Sequence, residues 1–150
     1  KYGAMPCDWG AMFPSAPVVL DKEIRIYYGA SDWYFFDWRK GCLALATLRP
    51  DGWAGYEQLE ANRPASITTT TLACSGAPLR LSADIPGGGS LTVTLLDKDN
   101  NTLAASDPIT ESVTDVEVRW TGKFALGKLR GGPVRLKFEL RAAKLYSFIL

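Results

Sequence analysis

A chain of 150 residues with 47% apolar side chains can bury a real core, and its formal charge of +1 gives no long-range pull toward a polyanion. Lys and Arg are dispersed without a basic stripe, and no run of about 18 apolar residues occurs, so neither nucleic acid nor a membrane is an expected partner. Histidine is absent, which excludes Ser-His-Asp and Cys-His nucleophiles and His-ligated metals; carboxylates or a tuned Lys or Tyr would have to carry any acid–base work.

The chain opens on Lys1 rather than Met, with no basic-then-apolar leader, which fits a processed protein or a piece of a longer one. Cys7, Cys42 and Cys74 are odd in number and lack CxxC spacing, so neither a zinc site nor a full disulfide framework is indicated. Three buried thiols are expected, with one disulfide plus one free thiol as the alternative. Pro17–Gly29 reads as a hairpin: Pro-Val-Val-Leu, an Asp-Lys turn, then Glu23-Ile-Arg-Ile-Tyr-Tyr with period two.

Residues 33–38 then place five rings in six positions, Trp33, Tyr34, Phe35, Phe36 and Trp38, flanked by Asp32, Asp37, Arg39 and Lys40. A core strand would alternate and an ordinary loop would be poor in rings, so this stretch is a long aromatic connection. Cys42–Arg49 is a near-continuous apolar strand ended by the Pro50-Asp-Gly52 turn, and Trp53–Tyr56 opens a further short strand. Twelve of the seventeen aromatic residues lie in positions 1–56, so the text changes character near residue 57.

Beyond it, strands are predicted at 66–73, 78–84, 90–97, 102–105, 114–120, 133–140 and 144–150. The Pro86-Gly-Gly-Gly89 connector lacks the Lys-Ser/Thr and following helix of a phosphate loop and reads as flexible backbone. Asp97, Asp99, Asn100 and Asn101 form an oxygen-rich hairpin turn whose residues could take Ca²⁺, although turns favour the same residues and the full calcium-loop spacing is missing. Trp120 is a core anchor or, less favoured, a second sugar platform. Gly122–Gly132 is a loop with room for one helical turn. Val134–Arg141 alternates without fault, with Val, Leu, Phe and Leu on one face. The predicted fold is all-β: an antiparallel, jelly-roll-like β-sandwich over 58–150 with an aromatic-rich hairpin segment over 1–57, together one compact unit.

Glu23-Ile-Arg-Ile-Tyr-Tyr-Gly-Ala and Leu45-Ala-Thr-Leu-Arg-Pro-Asp-Gly-Trp53, followed by the strand-rich remainder, carry a family resemblance. The chain resembles the last blade and C-terminal β-sandwich of bacterial proteins related to five-bladed β-propeller glycosidases, the group of invertases and fructan hydrolases. The resemblance places the aromatic connection near the carbohydrate-facing end. It also implies three catalytic carboxylates in "NDP", "RDP" and "EC" motifs, none of which occurs here; the nearest string, Ser106-Asp-Pro108, lacks the Arg.

The expectation is therefore a non-catalytic module that binds poly- or oligosaccharide. Sugar rings present apolar C–H faces and polar rims, which suit exposed Trp and Tyr beside carboxylates and Arg. Trp33, Tyr34 and Trp38 are expected to stack, and Asp32, Asp37 and Arg39 to meet hydroxyls, while Phe35 and Phe36 go to core or interface. No cofactor is expected beyond the Ca²⁺ alternative. A catalytic pair drawn from Asp8, Glu23, Asp32 or Asp37 is the enzymatic alternative. A structural module, dimerising through the aromatic loop or completing a larger glycoside hydrolase, is the other. The expected location is extracellular.

Overall fold

In a computed structural model, which describes residues 7–34, 40–60 and 62–150, the chain is all-β and antiparallel, as its patterning predicts. It divides into two compact units, Lys1–Gly52 and Trp53–Leu150.

The first unit is one sheet. β1 (Ala11–Pro14) and β2 (Val18–Val19) lie end to end along one side of β3 (Ile24–Ser31), and β4 (Gly41–Leu48) runs along the other. Pro17 cannot donate to a ladder, and the break between β1 and β2 falls beside it, bridged where Ser15 N–H donates to the Tyr27 carbonyl at 2.8 Å. The expected hairpin is present: Leu20 N–H meets the Glu23 carbonyl at 2.9 Å and closes the Asp-Lys turn. Apolar burial is thin here, with only Ala11, Ile24 and Ala30 buried among the described apolar residues of this unit. Register puts Phe13, Tyr27, Leu43 and Leu45 on one face, and Leu43 is 80% exposed.

The second unit is a two-sheet sandwich. Its further strands are β5 (Tyr56–Glu57), β6 (Ala65–Thr68), β7 (Leu72–Ala73), β8 (Arg80–Asp84), β9 (Ser90–Leu96), β10 (Thr102–Ala105), β11 (Val113–Glu117), β12 (Pro133–Arg141) and β13 (Lys144–Ile149). One sheet runs β10-β9-β12-β6, with β7 also on β12; the other runs β11-β8-β13-β5. Their facing sides form one core, in which Leu81, Ala83 and Leu145 meet Val93, Leu95, Leu136 and Phe138. The alternation read in Val134–Arg141 is that of the core: Val134, Leu136, Phe138 and Leu140 are all buried. Trp120 packs against this core and stacks edge-on with Phe124 at 5.7 Å.

Three expectations are corrected. Of the three thiols expected to be buried, Cys7 is exposed and Cys42 half-buried, while Cys74 is buried. The strand predicted over 66–73 is broken after Thr68, because Thr69 turns both backbone and side chain to β12: its N–H meets the Leu136 carbonyl at 2.9 Å and its Oγ1 accepts Leu136 N–H at 3.1 Å. The Pro86–Gly89 connector is a shaped turn rather than flexible backbone. Gly89 N–H closes onto the Pro86 carbonyl at 2.9 Å, Gly88 sits at φ +85°, and a Cβ on Gly89 would fall 2.3 Å from the Ala142 carbonyl oxygen.

The Asp97–Asn101 turn is closed by its own carboxylate. Asp97 Oδ1 accepts the N–H groups of Asp99 and Asn101, each at 2.8 Å, and Oδ2 accepts the Asn101 amide at 2.9 Å. The Asn101 side chain first, then the Asn101 N–H, hold the Asp97 carboxyl below its ordinary range. Because the folded pKa is depressed, this stabilisation is present above the unfolded carboxylate value and is lost as pH falls through the folded one. Asp97→Ala is expected to lower the melting temperature at neutral pH, with the gap to wild type closing below about pH 4. Parallel thermal melts across that range check it; a gap that persists in acid contradicts the assignment.

Candidate functional site

β3 and β4 deliver the two ends of the aromatic connection to one place. Asp32 ties its neck: Asp32 N–H donates to the Lys40 carbonyl at 3.2 Å, and Lys40 N–H donates to Asp32 Oδ1 at 2.8 Å. The buried Ser31 hydroxyl donates to the Trp33 carbonyl at 2.7 Å, and Gly10 N–H donates to the Ser31 carbonyl at 2.9 Å. The segment before β1 is thereby laid against the start of the loop.

Three rings meet as a result. Trp9 and Trp33 have centroids 5.7 Å apart at 31°, and Tyr34 stands edge-on to both, at 5.4 Å from Trp9 and 5.5 Å from Trp33. These are attractive offset and edge-to-face geometries, so the rings support one another while staying accessible. Trp9 is 41% and Tyr34 46% exposed. A half-exposed cluster of mutually braced rings is a stacking surface with little ordering cost on binding.

Of the residues singled out in the sequence, Trp33 and Tyr34 are in this cluster, and Asp32 lies at the neck of the loop with one carboxylate oxygen committed to Lys40 N–H. Phe35, Phe36, Asp37, Trp38 and Arg39 lie outside the described residues. Trp9 was not anticipated: it stands 24 positions before Trp33, and nothing in its local pattern announces the pairing.

Asp8 approaches the same neighbourhood, accepting the Tyr28 hydroxyl at 3.0 Å. That bond first, then desolvation, holds the Tyr28 hydroxyl above the ordinary phenol range, so it stays a donor. Glu23 is paired with Arg25, whose Nε donates to it at 2.7 Å. Asp8, Glu23 and Asp32 each thus serve a local structural bond. Among the described residues no group of three or more His, Cys, Asp or Glu side chains could hold a metal ion, and no helix is long and apolar enough to cross a membrane.

The second unit carries a shallow groove of about 550 Å³ lined by Glu57, Gln58, Asp84, Pro86, Ser112 and Lys144 among others. Its charges are matched internally: Lys144 Nζ lies 2.9 Å from Glu57 Oε2, and the Tyr146 hydroxyl donates to Asp84 Oδ2 at 2.8 Å. Its described lining includes no aromatic ring, so it offers no stacking surface. No protein-family model, no curated protein and no solved structure matches the chain.

Proposed function

We propose that the protein is a non-catalytic carbohydrate-binding module, extracellular in location, that takes poly- or oligosaccharide on the Trp9, Trp33 and Tyr34 cluster. The observation that carries this reading is the cluster itself: three rings braced at 5.4–5.7 Å, with Trp9 and Tyr34 about half exposed. Indole and phenol faces suit the C–H faces of a pyranose or furanose, and the Tyr34 hydroxyl adds a polar rim. Asp37, Trp38 and Arg39, next along the loop, supply the remaining groups of the proposal. The resemblance to the last propeller blade and sandwich of invertase-like glycosidases supports the same ligand class.

Retention on a panel of immobilised fructans, β-glucans, xylans, mannans and sulfated glycans tests it. Wild type is expected to be retarded by at least one glycan, and Trp33→Ala to lose that retardation by about tenfold or more, as a stacking anchor should. Failure of the whole panel to retard wild type overturns the reading.

A second reading is favoured by one observation, the open face of the first sheet. Leu43 at 80%, Phe13 at 53% and Leu45 at 47% exposure are more apolar surface than a free monomer usually leaves open on one face. In that reading the unit is an assembly module, paired with a second copy or with a larger glycoside hydrolase. Light scattering across a concentration series separates the two, since a ring-binding module stays monomeric and an assembling one does not.

A further inference from the structure

Two of the three cysteines have been brought together. Cys7 precedes β1 and is exposed; Cys42 is the second residue of β4 and is half-buried; Cys74 is buried in the core of the second unit. Between Cys7 and Cys42 lie 34 residues, yet the Cys42 thiol donates to the Cys7 carbonyl oxygen at 3.7 Å. The approach is built by independent contacts on either side. Tyr28 holds Asp8 at 3.0 Å, Gly10 is bonded to Ser31 at 2.9 Å, and Cys42 is fixed by its register opposite Ala30. A thiol that close to its partner's backbone makes the two cysteines immediate neighbours, the approach that a disulfide needs.

We propose that Cys7 and Cys42 are a reversible disulfide site that staples the segment carrying Trp9 to strand β4, with Cys74 taking no part. The staple rests on this geometry alone and stands whatever ligand the rings take. The oxidant is a small-molecule disulfide of the glutathione class. Cys7, the exposed thiol, attacks as thiolate and forms a mixed disulfide, expelling one glutathione thiolate. Cys42 then attacks the Cys7 sulfur and expels the second. One glutathione disulfide is reduced to two thiols as two protein thiols become one disulfide, so atoms and electrons balance. The neighbouring Cys7 thiol first, then desolvation and the Asp8 and Asp32 carboxylates, hold the Cys42 thiol above its ordinary range, and the first of these causes is removed once Cys7 carries glutathione.

The full chain is incubated with oxidised glutathione at mildly alkaline pH, alkylated with and without denaturant, and mapped by mass spectrometry. The expected product has lost two hydrogens, yields a linked Cys7–Cys42 peptide, and retains a Cys74 thiol that alkylates only in denaturant. Cys42→Ser is expected to stop at glutathione carried on Cys7, and the wild-type linked form to raise the folded-to-unfolded ratio of the first unit by roughly a hundredfold or more. Glutathione persisting on Cys7 of wild type, three alkylatable thiols after oxidation, or a link through Cys74 would each overturn the proposal.

Discussion

Phe138→Ala is expected to cost the second unit about 3–5 kcal/mol, the largest loss from any single truncation among the described residues. Phe138 is 0% exposed at the centre of β12, the strand that pairs with both β9 and β6, and its ring meets Phe148 of the opposite sheet at 5.1 Å. Removing it loses the transfer free energy of the ring and leaves a cavity between two sheets held apart by their own backbones. For a unit of about this size the melting temperature should fall by roughly 15 °C or more. Phe148→Ala, at a partly buried position on the same contact, should cost visibly less. Calorimetry of the two variants reads the difference; equal losses would place the centre of the core elsewhere.

Gly10→Ala is the second large effect, and it acts on the ring cluster instead of the core. A Cβ at position 10 would lie 2.1 Å from the Trp33 carbonyl oxygen and 2.2 Å from its carbon, so the obstacle is backbone and no rotamer relieves it. The methyl must push the Trp33 segment off the segment before β1. That strains the Gly10–Ser31 and Ser31–Trp33 hydrogen bonds and separates Trp9 from Trp33. Overpacking against fixed backbone costs about 1–3 kcal/mol or more, here confined to the first unit. The near-ultraviolet circular dichroism of the coupled indoles should weaken and glycan retention should disappear, while the second unit melts as in wild type. Gly29→Ala, where a Cβ meets nothing within 4 Å, is the matched control and should leave both signals in place.

The sandwich was legible because its strands obey a local rule. Val134, Leu136, Phe138 and Leu140 alternate with Arg, Lys, Glu and Arg, and period two is all that a half-buried strand requires. The same holds for Ile24–Tyr28, and the turn residues at Asp21-Lys22 and Asp97–Asn101 mark their hairpins by their own chemistry. Contacts set by tertiary approach were not legible. Ala11–Pro14 has no alternation to show that it pairs with β3, and Thr69 breaks its strand only because Leu136 is beside it. At the ring site the sequence marked Trp33 and Tyr34 by their density, yet Trp9 arrives through the close backbone approach at Gly10, which leaves no local signature. Asp32 read as a group for sugar hydroxyls, while its Oδ1 closes the loop onto Lys40 eight residues on.

The most direct test of carbohydrate binding at the rings is the response of individual indole N–H resonances. With ¹⁵N-labelled tryptophan, the signals of Trp9, Trp33, Trp38, Trp53 and Trp120 are assigned by single substitution, and an oligosaccharide of the retarding class is titrated in. The account predicts saturable shifts of Trp9 and Trp33 together, with Trp120, packed on Phe124 in the second unit, unmoved. Shifts of Trp53 or Trp120 with Trp9 and Trp33 unmoved would contradict it.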